Sequence, residues 1–126
     1  MLELVVALAI AAVLLALALP SYHRYTLRAA RAEAVRQLHA AAACQERVRA
    51  VTGYYDTSRC LPQPADGAYR FRFEPSNDAQ SLAFELHADP GQARRGDDCG
   101  GLSLDQAGTR RITGREEKLP DCWGGR

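Results

Sequence analysis

The sequence predicts an α+β fold: one long N-terminal helix packed on a small antiparallel sheet of about four strands, stapled by disulfides. Three observations predict it. Residues 4–19 carry no polar side chain; apolar residues from Leu27 onward recur at steps of three and four; and short alternating stretches joined by tight turns fill the second half. The chain has 126 residues, enough for one small domain. Its formal net charge of +1 gives no overall field pointing at nucleic acid or at acidic substrates.

Alanine and leucine dominate the first segment, which makes it a helix by propensity. Nineteen helical residues span about 28 Å, close to the thickness of a hydrocarbon core. A secretory signal peptide fits poorly, because no basic stretch precedes the run and an acid, Glu3, interrupts it. A soluble core helix fits less well still, since it would need a polar face. Glu3 has two readings: a wetted carboxylate at the interface, or one neutralised by a cation of another subunit when helices bundle.

Arg24, Arg28 and Arg31 follow the apolar run, and basic flanks normally stay cytoplasmic. Four cysteines after the segment ask for an oxidising compartment instead. Both hold if a basic segment precedes Met1, so the expected N-terminus lies upstream.

Pro20 kinks a helix without ending it when the following residues resume a helical pattern. The stripe Leu27, Ala30, Ala34, Leu38, Ala41, Cys44, Val48 and Val51 marks one amphipathic face, with most arginines off it and Gly53 as the stop. The expected division is therefore an apolar helix 1–20 and a head 21–126. The head comprises an amphipathic helix 21–52, a loop 53–67, a sheet over 68–113 and a polar tail 114–126.

In the sheet, Tyr69, Phe71 and Phe73 alternate with Arg70 and Arg72, and Leu82, Phe84, Leu86 and Ala88 alternate with Glu85 and His87. Pro75 to Asp78 connects these strands, and residues 101–104 turn through 105–108 into 109–113. All these connections are short, so the sheet is expected to be antiparallel with one face on the helix. Four cysteines allow three connectivities. The sequential one, Cys44–Cys60 with Cys99–Cys122, closes two short loops, each worth roughly 3 kcal/mol in the chain-entropy model.

The chain shows no phosphate-cradling glycine loop, no nucleophile elbow and no zinc-protease helix motif. The cysteines include no C-x-x-C pair, which argues against zinc. His23, His39 and His87 are isolated. Asp97, Asp98 and Asp105 match no calcium loop. No catalytic residue, cofactor or metal is therefore expected. Arg94, Arg95, Arg110 and Arg111 form a DNA-contacting patch if the fold segregates them from the acids among them.

The opening run from Leu2 through Ile10, followed by Leu17-Ala18-Leu19-Pro20-Ser21-Tyr22 and Tyr25, resembles the N-terminus of type IV pilins, including the spacing from Glu3 to Pro20. Asp97, Cys99, Gly100, Leu102, Leu104, Gly108, Arg110, Asp121, Cys122 and Trp123 are similar to the tail of PilE-like minor pilins. Gln45-Glu46-Arg47 with Gly53-Tyr54-Tyr55 is similar to that subgroup's helix end. The sequence departs at the processing site, where the family's Gly-Phe and the residue after it are absent, and by the additional Cys44–Cys60 pair.

The resemblance implies a non-enzymatic subunit of a pilus for motility, adhesion or DNA uptake. Glu3 would face a neighbouring subunit's amino terminus, and Cys99–Cys122 would close the C-terminal region. The implied partners are other major and minor pilins, the inner membrane, a prepilin peptidase and the pilus assembly platform. The implied location is the inner membrane with a periplasmic head, then an extracellular pilus. A type II secretion pseudopilin and a DNA receptor pilin are the alternatives.

Overall fold

The computed structural model describes residues 2–63, 67–74, 82–94 and 96–124. A single helix, α1 (Leu2–Thr52), runs for 51 residues and passes through Pro20 without a break. At 1.5 Å per residue it extends about 75 Å. Proline removes the N–H that would bond the Ala16 carbonyl, and the uninterrupted ladder on either side carries the helix across that gap. Gly53 ends it: its φ of 86° turns the chain while its N–H still donates to Arg49 O at 2.8 Å.

The sheet is a four-stranded antiparallel meander in the order β1 (Tyr69–Glu74), β2 (Glu85–Pro90), β3 (Leu102–Asp105), β4 (Arg110–Ile112). Its register sorts the side chains onto two faces, because directly opposed residues share a face. Phe71, Ala88, Leu102 and Ile112 form one inward row, and Phe73, Leu86 and Leu104 the next. These rows meet Ala34, Leu38 and Ala41 of α1, and small residues at 34 and 41 let helix and sheet approach closely around Leu38. The outward rows are charged or polar: Arg72, His87, Ser103 and Arg111, beside Glu74, Glu85 and Asp105.

Several expectations need correction. Val51, expected on the buried stripe, is 87% exposed, because it lies in the last turn beyond the part of the helix that the head covers. Most arginines of α1 stay off the buried face as expected, but Arg31 is buried, as is Gln45. Leu82, expected to face inward, is 72% exposed, since pairing with β1 begins only at Glu85. Phe84 precedes the strand yet is buried, edge-on to Tyr55 and Phe73 with ring centres 4.9 and 5.9 Å away. In place of the polar tail expected over 114–126, a 3₁₀ turn (Glu116–Lys118) leads into the short helix α2 (Leu119–Gly124), which buries Cys122 and Trp123. The expected turn at Pro75 to Asp78 lies outside the described residues.

Candidate assembly helix and head surfaces

The first half of α1 is bare. Leu2, Leu4, Val5, Val6, Leu8, Ile10, Val13, Leu14, Leu15, Leu17 and Leu19 are all exposed, and no part of the apolar window is covered by the head. Such a surface is stable only in lipid or against other apolar helices. Glu3 stands in the first turn, where the free N–H groups of a helix favour a negative charge. Pro20 sits inside α1, at the C-terminal end of the apolar run.

The second half of α1 holds the head through polar anchors as well as the apolar stripe. The Arg31 guanidinium donates from Nε to Asp97 Oδ2 at 3.1 Å and from Nη2 to Asp97 Oδ1 at 2.8 Å, a fork with side chains only 11% and 3% exposed. The Tyr69 hydroxyl and the Cys99 N–H also donate to Asp97, at 3.4 and 3.2 Å. Burial, and next the Asp97 charge, push the Tyr69 phenol up to about 12. One carboxylate thus ties α1, β1 and the turn carrying Cys99.

Further along α1, Gln45 performs the same task for the loop after the helix. Its side chain donates to the carbonyls of Asp56 and Arg59 at 2.7 and 3.0 Å and accepts from Asp56 N–H at 3.1 Å. Tyr55 is locked beside it, donating to Glu46 at 2.7 Å and accepting from Arg49 at 2.8 Å. The loop so held delivers Cys60 to Cys44, and the second disulfide joins Cys99 to Cys122, each with Cα atoms 5.8 Å apart. Gly114 runs against the backbone of Asp98 and Cys99 where no Cβ fits, which closes the C-terminal segment onto the turn before β3.

The four arginines considered for DNA contact do not act as one patch. Arg110 and Arg111 are neighbours on β4 and therefore face opposite sides of the sheet. Arg111 pairs with Glu85 at 3.0 Å and Asp105 at 3.4 Å, so its charge is balanced. Arg110 is exposed and has no carboxylate partner among the described residues; its guanidinium rests over the Trp123 ring, 5.6 Å from the centroid. Trp123 is fixed by its indole N–H, which donates to Arg111 O at 3.2 Å, and His39 meets the same ring edge-on at 5.9 Å. Burial, then the Arg110 charge, hold the His39 imidazole below its usual range. Arg94 ends a 3₁₀ turn (Gln92–Arg94), and Arg95 lies outside the described residues.

The three aspartates considered around a cation are kept apart by different partners. Asp97 belongs to Arg31. Asp98 is paired with Lys118 and with Arg115; the hydrogen bond from Lys118, and next the charges of Arg115 and Lys118, hold its carboxyl below the usual range. Asp105 caps the β3–β4 turn through the N–H groups of Ala107 and Thr109. Among the described residues, the grouping best able to hold a divalent ion is Glu74, Glu85 and His87 on the outer sheet face. Those carboxylates are already engaged by Arg72 and Arg111; His87 Nε2 lies 2.8 Å from Glu74 without making a hydrogen bond to it. His87 was expected on a wet face, but its side chain is only 15% exposed beneath this charge network. Sequence reading missed the Arg31–Asp97 anchor and the Trp123 platform. Nothing local in a sequence shows an ion pair spanning 66 positions, although an arginine at helical spacing from Ala34 and Leu38 was an available signal.

A bare apolar helix continuous with an amphipathic one, a four-stranded antiparallel sheet on the latter and a disulfide-closed C-terminal segment together define a type IV pilin subunit. A type IV pilin from Shewanella oneidensis is 30% identical, matching 71% of this chain and 96% of its own with a TM-score of 0.56. The non-core minor pilin PilV of Neisseria meningitidis shares the fold at 21% identity, over 75% of this chain and 94% of its own, also with a TM-score of 0.56. Residues 20–103 match the family described as type IV minor pilin ComP, DNA uptake sequence receptor. The chain belongs to the ComP type IV minor pilin family. No curated protein sequence matches it significantly. Family and fold are those of a structural subunit, a membrane-anchored pilin that interacts with other pilins in a pilus.

Proposed function

We propose that this minor pilin is a DNA receptor displayed on the filament: its apolar helix enters the pilus and its head binds DNA phosphates. The observation that carries the reading is Arg110, an exposed cation over the Trp123 ring with no carboxylate partner among the described residues, in a chain of this family. Arg111 adds no free charge, because Glu85 and Asp105 already neutralise it. Phosphate contacts of this kind give affinity that falls steeply with salt.

Before assembly the helix is anchored in the inner membrane with the head in the periplasm, after a prepilin peptidase has processed the N-terminus. The assembly platform then passes the subunit into the filament, where Glu3 neutralises a neighbouring amino terminus and Pro20 marks the end of the apolar run that enters the filament core. In such a site an unpaired Glu3 would be costly in lipid, which makes its partner a condition of assembly.

Binding of duplex DNA by the full chain in detergent, measured over a salt series, tests the receptor reading. Arg110→Ala should weaken binding at every sequence and lower the salt slope by about 1, while Arg111→Ala leaves it nearly unchanged. Salt-independent or absent binding by the parent chain refutes it. Glu3→Ala should insert into membranes normally and be missing from sheared pili.

A further inference from the structure

Arg24 and Arg28, just past the apolar run of α1, have no part in anything assigned so far. Arg24 and Arg28 are exposed, and neither meets a carboxylate among the described residues; Arg24 reaches only the Pro20 carbonyl, at 3.4 Å. Helical spacing puts Arg24, Leu27, Arg28 and Arg31 on one face of α1. That face is one wall of an open cleft of about 340 Å³, whose other wall is the turn at Gly96 to Cys99 with Lys118, Asp121 and Cys122.

Four of the charges lining the cleft are already satisfied, Arg31 by Asp97 and Lys118 by Asp98. What remains is two guanidinium groups on the helix wall and one exposed carboxylate, Asp121, on the α2 wall, with no ion-pair partner among the described residues. The height of the cleft matters as much as its charge. The apolar run ends at Leu19, so Arg24 and Arg28 lie about 7 and 13 Å further along the axis. The headgroup layer adds roughly 5–7 Å beyond the hydrocarbon on each side. Helical side chains lean toward the N-terminus, which here is toward the membrane, so both guanidinium groups can come down to phosphate level.

We propose that this cleft holds the headgroup of an aminophospholipid from the leaflet beneath the head, its phosphate on Arg24 and Arg28 and its primary ammonium on Asp121. The guanidinium fork matches two phosphate oxygens, and a primary ammonium can donate to a carboxylate where a quaternary one cannot. The site rests on the membrane-anchored state and makes no use of the DNA-binding reading. It gives the two basic residues beside the membrane a role on the side of the bilayer where basic flanks are not expected.

The test uses the full chain reconstituted with equal amounts of phosphatidylethanolamine, phosphatidylcholine and phosphatidylglycerol, with retained lipid counted by native mass spectrometry. Phosphatidylethanolamine should be retained over phosphatidylcholine, and Arg24→Gln with Arg28→Gln should cut its retention at least about fivefold. Asp121→Asn should erase the preference for the primary amine while leaving total phospholipid in place. Unchanged retention in the double arginine variant overturns the site. Displacement of the lipid by millimolar inorganic phosphate also overturns it, in favour of a free-anion site. Unchanged retention together with lost incorporation into pili assigns the cleft to a neighbouring subunit instead. Vesicle flotation of each variant separates these outcomes from failure of the anchor itself: a chain that does not float with the vesicles overturns the anchored state on which the site depends.

Discussion

Replacing Arg31 by methionine leaves the helix stripe apolar and removes one half of the Arg31–Asp97 fork. The Asp97 carboxylate, 3% exposed, then keeps only the Tyr69 hydroxyl at 3.4 Å and the Cys99 N–H at 3.2 Å. Breaking a buried pair by removing one partner typically costs 3–5 kcal/mol, because the remaining charge stays buried without compensation. In a head of roughly a hundred residues each kcal/mol moves the melting temperature by about 4–8 °C, so a fall of at least about 12 °C is expected. Near-ultraviolet circular dichroism of the full chain in detergent micelles reports it, since Trp123 and Tyr69 both sit in the structure the pair holds. Arg31→Met combined with Asp97→Leu should regain at least half of the loss, because no stranded charge remains. An Arg31→Met variant that melts within about 1 kcal/mol of the parent would falsify the anchor.

Other expectations concern pH and packing. The Tyr69 phenol, raised to about 12, stays protonated in the folded head where an unfolded chain's tyrosine ionises near 10, so stability falls as pH rises through that window. Melting curves from pH 9 to 12 should show the fall, and Tyr69→Phe should reduce it; an identical slope in the variant refutes the assignment. In a proton NMR titration His39 should lose its proton below the usual histidine range. Arg110→Gln should bring it only part of the way back, since burial is the larger cause. Gly114→Ala drives a methyl into the Asp98 and Cys99 backbone and should cost at least about 3 kcal/mol. Thiol titration under denaturing conditions would then find unpaired Cys99 and Cys122, whereas a fully oxidised, normally melting variant shows that the contact gives way.

Much of the fold is legible because its signals are periodic. Alternation at Tyr69, Phe71 and Phe73, and again at Phe84, Leu86 and Ala88, follows the two-residue repeat of a strand with one face on a core. Leu82 fits that pattern and is nonetheless exposed, because alternation cannot tell where hydrogen-bonded pairing begins. Val51 fails in the same way on the helix: the stripe continues in sequence after the head that would cover it has ended. The charge readings fared worse. Arg110 and Arg111 are adjacent letters, but strand geometry sends one onto Trp123 and the other into Glu85 and Asp105.

By itself, then, the sequence determined the long helix, its apolar half, the antiparallel sheet and the set of cysteines available for bonding, because each depends on composition or on a short repeat. Only the tertiary structure decided which charges are spent inside the head and which remain for a partner. Arg31 is consumed by an aspartate 66 residues away, and Arg111 by two acids across the sheet. Arg24, Arg28 and Arg110 keep their charge free of any carboxylate among the described residues. Coulomb interactions act through space and not along the chain, so the accounting of charge waits for the fold.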